Sequence, residues 1–135
     1  MSKTFFLSYG LAAAVFLTLD SIWLTSISRN FYQSEVGTLL LAQPRIGAAV
    51  LFYLLYVLGI VVFCVLPGVA SARVLRAAGL GLLFGVIAYA TYDLTNLATL
   101  RGWSVAVVAV DIAWGGLATA LAAGAAAWAT RAIQR

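Results

Sequence analysis

Histidine is absent from the chain, and cysteine occurs once, at Cys64. The first absence removes the commonest general base and the commonest metal ligand. The second rules out an intrachain disulfide, and the apolar surroundings of Cys64 read as those of a small core residue. Haem and iron–sulfur centres need sets of His, Met or Cys, and the chain offers only Cys64 and Met1. Zinc catalysis lacks its usual ligands for the same reason. A hard cation such as magnesium on aspartates is the metal reading left open, and the residues name no cofactor. Charge is scarce too: 9% of residues, where a soluble domain carries about 25%.

What is abundant is apolar surface. The chain has 135 residues, 64% of them hydrophobic, and a water-soluble protein this small has too little interior to hide them. Lipid is the natural solvent for such a sequence. The net charge of +4 then fits loops against anionic lipid better than nucleic acid, for which there is no basic run.

The apolar stretches predict an all-α, polytopic four-helix membrane bundle, one domain over residues 1–135, with spans at about 5–27, 46–69, 77–100 and 103–129. Lys3 before an apolar run suggests a signal peptide, but the run passes Asp20 to Leu24 without a small-residue cleavage site, so an uncleaved span is expected. Between the first two spans, Tyr32, Val36, Leu39 and Leu40 make one apolar helical stripe. Asn30 and Gln33 resemble a capping box at its start, and Pro44 ends it. A short helix in the interface or folded onto the bundle mouth is expected, with an irregular loop as the alternative.

Lys3, Arg73, Arg76, Arg131 and Arg135 fall on one side of such a bundle, and Arg29, Arg45 and Arg101 on the other. That bias favours cytoplasmic termini. Trp103 and Trp128, near opposite ends of the fourth span, are expected in the aromatic belts.

Three of the four acidic residues, Asp20, Asp93 and Asp111, lie inside predicted spans. Each costs at least about 2.5 kcal/mol at mid-span, which makes it a functional hypothesis by default. Counting from the span ends at 1.5 Å per residue, all three fall about 10–12 Å below the same surface. Trp23 and Trp114 each follow an aspartate by three residues and share its helix face. Tyr89, Tyr92, Asp93 and Asn96 form one face of the third span, and Tyr53 and Tyr56 share a face of the second.

A pocket of carboxylates, phenols, indoles and one amide is therefore expected in one half of the bundle, with no Lys, Arg or His inside it. Arg29 and Arg101 lie eight or more residues from the nearest aspartate on their own helices. Without counter-charge the site should bind protons, bind a cation, or hold neutral acids hydrogen-bonded to the tyrosines and Asn96. The plain alternative is that the aspartates lock helices together and do nothing else. The small-residue runs Gly79 to Gly85 and Ala118 to Ala127 read as close helix packing, within or between chains.

A faint internal repeat is present. Thr18, Asp20, Trp23 and Leu24 align with Thr91, Asp93, Asn96 and Leu97, and Asp111 with Trp114 repeats part of the pattern. The segments LDSIWL at 19–24, LFYLLYVLGIVVF at 51–63, AYATYDLTNLATLRGW at 88–103 and VDIAWG at 110–115, with FY at 31–32 and the Pro44 region, resemble the bacterial DUF2177 family of small membrane proteins. The resemblance implies an inner-membrane protein of four helices. It implies no activity and carries over no catalytic residue.

Two functions fit these features. One is binding or transport of a proton-coupled or cationic small molecule, for which a chain of four helices is small enough that a homodimer is expected. The other is a membrane-embedded enzyme on a lipid or isoprenoid, with Asp93 and Asp111 as acid and base and Tyr92 and Asn96 orienting. A lateral slot between helices favours the lipid reading, water access from alternating sides favours transport, and a dry, fully bonded cluster favours the structural one.

Overall fold

A computed structural model describes all 135 residues, and every regular element in it is helical. In lipid an unpaired backbone group has no water to turn to, so closed helical hydrogen bonding is the economical solution for so apolar a chain. Four helical stretches are long and apolar enough to cross a membrane. The first is α1, Ser2–Ile22, continued by a π-turn at Trp23–Ile27 and α2, Ser28–Val36. The second is α3, Ile46–Ile60, continued by a π-turn at Val61–Val65 and α4, Leu66–Ala70. The third is α5, Val74–Thr99, and the fourth α6, Val105–Ile133.

The π-turns have local causes or consequences that can be named. Pro67 lacks an N–H and its ring crowds the carbonyl four residues back, at Phe63. The helix widens at that point, which is where the second π-turn lies. In the first, the Ser28 N–H and hydroxyl both turn to the Trp23 carbonyl, the hydroxyl at 3.0 Å. The chain therefore passes from α1 into α2 without stopping. The capping box expected at Asn30 and Gln33 is corrected accordingly: α2 has no side-chain cap, because a helix that never ended has no free first-turn donors to satisfy. Of the two placements expected for the short helix, α2 takes the fold onto the bundle mouth, where Val36 is buried.

α6 is the central element. It packs along α5 and α1, and small residues permit the approach. A Cβ on Gly85 would collide with the carbonyl of Gly115, and one on Gly81 would come within 2.7 Å of the Thr119 carbonyl. The small-residue runs thus pack within the chain. Polar ties supplement them: the Ser8 and Thr130 hydroxyls meet at 3.0 Å between α1 and α6. Thr119 spends its proton on the Gly115 carbonyl at 2.6 Å and so accepts from the Tyr56 hydroxyl at 2.7 Å. Leu51, Leu54, Leu55 and Leu58 of α3 are exposed and form a lipid face.

The second span is held unevenly. Its lower part, the π-turn and α4, packs on α5 and α6, whereas α3 packs chiefly on α1. The half of α3 nearest α2 therefore stands away from α5. That separation positions the site.

Candidate functional site between the helices

Asp20, Asp93 and Asp111 are all buried. Their surroundings differ. The Asp20 carboxylate accepts from the Tyr53 hydroxyl through Oδ2 and from the Trp114 indole N–H through Oδ1, the latter at 3.2 Å. Trp114 in turn lies flat on Trp23, with centroids 4.5 Å apart and planes at 5°. The Trp23 N–H points to the Tyr32 hydroxyl at 3.4 Å. Three helices and the mouth helix α2 are joined through this one carboxylate.

Asp111, one turn and a half into α6, is less satisfied. Its Oδ1 is buried without a hydrogen-bond partner, and the side chain lies within electrostatic reach of Asp20. It lines two cavities. One, of about 430 Å³, is walled by Phe52 and Tyr56 of α3, Ala88, Tyr89 and Tyr92 of α5, and Asp111. Its rim residues Phe52 and Tyr92 are exposed, so it opens sideways between α3 and α5. The other, of about 220 Å³, lies under α2, with Tyr32, Val36 and Leu40 against it on the mouth side and Asp20 and Tyr53 on the bundle side. Tyr89, Tyr92 and Asp111 line both cavities and form the junction between them.

Asp93 is placed apart from this junction. Its side chain is fully buried and lines neither cavity, and neither carboxylate oxygen has a hydrogen-bond partner. Its polar neighbour is Trp103, whose indole N–H is buried and also outside hydrogen-bond geometry. Asn96 is half-buried and lines neither cavity. Of the residues expected in the pocket, eight meet around the two cavities: Asp20, Trp23, Tyr53, Tyr56, Tyr89, Tyr92 and Asp111 as lining, and Trp114 through its bond to Asp20.

Phe52 and Trp103 are among the lining residues that the sequence did not place in the pocket. Phe52 lines the lateral cavity, and only its adjacency to Tyr53 hinted at it. Trp103 was expected in an interfacial belt. It instead turns inward, meets the edge of Tyr92 at 5.7 Å and 88°, and lines the cavity under α2. It lies in the short connection before α6, which the Ser104 hydroxyl ties to Glu35 of α2. Trp128 is exposed, as a belt residue should be.

Arg29 and Arg101 are exposed, and no basic side chain lines either cavity. No three Asp, Glu, Cys or His side chains converge as a metal-binding group. What remains is one anchored carboxylate, one incompletely bonded carboxylate beside it, and aromatic faces around both.

No curated protein and no solved structure matches the chain. The family of predicted membrane proteins known as DUF2177 matches residues 5–128, and with nearly its whole length covered the chain belongs to that family.

Proposed function

We propose that this is a protein of the bacterial inner membrane, with both termini on the cytoplasmic side, that binds an organic cation or exchanges a proton at Asp111. The observation that carries the reading is a buried carboxylate with an unpartnered oxygen, lining two cavities, beside a second carboxylate and with no basic residue near. Two acids in low dielectric favour an incoming positive charge. The faces of Tyr89 and Tyr92, which line both cavities beside Asp111, suit an organic cation through their ring quadrupoles. Binding of this kind is the first step of coupled transport, and a four-helix chain performing it would work as a homodimer. Asp20 is the anchored carboxyl of the site, since Tyr53 and Trp114 already hold it, and Asp111 is the exchanging group.

A second reading is favoured by the sideways opening, which is what a lipid or isoprenoid substrate needs. In an enzyme of that kind Asp111 is the better acid or base, because it lines both cavities, and Asp20 rather than Asp93 is its partner.

The test is linkage. The melting temperature of the purified protein, followed from about pH 5 to about pH 9 with and without tetramethylammonium, should depend on both. The tetramethylammonium dependence should vanish in Asp111→Asn, and the pH dependence should shrink. A protein that melts identically in all these conditions does not bind a cation or a proton there.

A further inference from the structure

The two cavities differ in character, and the carboxylate that lines both sits where they meet. The chamber under α2 is the polar one: Asp20 and the hydroxyls of Tyr32 and Tyr53 are within it. The lateral slot is walled by Phe52, Tyr56, Ala88 and Tyr89, and Asp111 is its one acidic side chain. A compact cation at Asp111 would leave the slot, the larger of the two spaces, with nothing to do. We infer that the ligand is a cationic amphiphile, an amine or quaternary ammonium carrying a hydrocarbon chain, with its head at Asp111 below α2 and its chain leaving between α3 and α5. This inference rests on the reading of Asp111 as the partner of a cation.

Depth supports it. Phe52 is six residues beyond the start of α3 and Tyr92 seven before the end of α5, which places the slot about 9–11 Å along the helices from the mouth. A hydrocarbon core about 30 Å thick reaches that level, so the slot faces acyl chains and not water. The slot gives Asp111 an approach from the side that does not pass Tyr32, Val36 and Leu40 at the mouth. A chain passing between α3 and α5 breaks no backbone hydrogen bond, because those of each helix are internal to it. The charge of the head follows from the lining: a phosphate, sulfate or carboxylate would meet Asp111 and Asp20 with no Lys, Arg or His to neutralise it.

The experiment uses the full chain in dodecyl maltoside micelles and reads tryptophan emission, since Trp23 and Trp114 are stacked beside Asp20. Three probes are titrated: decyltrimethylammonium, tetramethylammonium and decyl sulfate. Decyltrimethylammonium should saturate at a concentration at least about tenfold lower than tetramethylammonium, and decyl sulfate should give no saturable change. Ala88→Phe, which narrows the slot, should weaken the decyl cation about tenfold more than it weakens tetramethylammonium. Equal saturation by the two cations in the wild-type chain overturns the amphiphile and leaves the cation site standing. Saturation by decyl sulfate at the concentration of the decyl cation, or by no probe at all, overturns both. The wild-type comparison decides the matter even if Ala88→Phe fails to fold.

Discussion

Trp23 and Trp114 stack face to face, 4.5 Å between centroids and 5° between planes, and Trp114 uses its edge to hold Asp20 at 3.2 Å. One indole thus gives its face to the π-turn after α1 and its N–H to the buried carboxyl three residues before its stacking partner. The two functions of that indole can be separated by substitution.

Trp114→Phe keeps an aromatic face against Trp23 and removes the donor to Asp20. The expected loss is about 1 kcal/mol, the usual net worth of an intramolecular hydrogen bond. Trp23→Phe removes only the long 3.4 Å contact to Tyr32 and should cost less. Thermal melting of both variants in one detergent checks the order.

Asp20 and Asp93 should respond in opposite ways to an apolar replacement. Asp20→Leu strands the Tyr53 hydroxyl and the Trp114 N–H and should cost about 2–3 kcal/mol. Asp93→Leu leaves no hydrogen-bonded partner behind and should be neutral or stabilising by about 1 kcal/mol. A loss of about 3 kcal/mol or more at Asp93 would mean that it holds a partner after all, and a role for it in the site would have to be restored.

Glycine matters on α5 at Gly85 and not at Gly79. Gly85→Ala drives a methyl into the Gly115 carbonyl and should cost about 1–3 kcal/mol or separate the helices. Nothing lies within 4 Å of a Cβ at Gly79, so Gly79→Ala should be stabilising by about 0.5–1 kcal/mol, the usual gain on removing a helix-interior glycine. Unfolding in mixed micelles measures both.

Ser104 fastens the mouth helix. Its hydroxyl donates to Glu35 of α2 at 2.5 Å and accepts from the Val107 N–H at 3.3 Å as the N-cap of α6. Ser104→Ala should cost about 1 kcal/mol through the cap. It should also speed hydrogen exchange in residues 28–36, whereas an effect on α6 alone would mean that Glu35 does not hold α2 down.

The four apolar helices and their buried acids were legible because each depends on its own run of residues. So was the aromatic company of Asp20 and Asp111, since an indole three positions along a helix shares the carboxylate's face. The same periodicity put Tyr89, Tyr92, Asp93 and Asn96 on one face. Yet Tyr89 and Tyr92 line the cavities while Asp93 and Asn96 do not. A face more than a hundred degrees wide can be divided between a cavity and a neighbouring helix, and spacing alone does not say where the division falls. The π-turns were hidden for a related reason. Each inserts a residue into the helical register, and only at Pro67 does the sequence carry a cause.

The sequence by itself determined the solvent, the helical class, the number of long apolar helices and the presence of acids within them. These follow from transfer free energies and backbone hydrogen bonding, which act residue by residue. The tertiary structure decided which carboxylate is anchored, which is left incompletely bonded, and that the cavity opens sideways. Those outcomes depend on how each helix is rotated and how far α3 stands from α5. In lipid the hydrophobic effect does not distinguish one rotation from another, so close contacts such as Gly85 against Gly115 and bonds such as Trp114 to Asp20 set the arrangement.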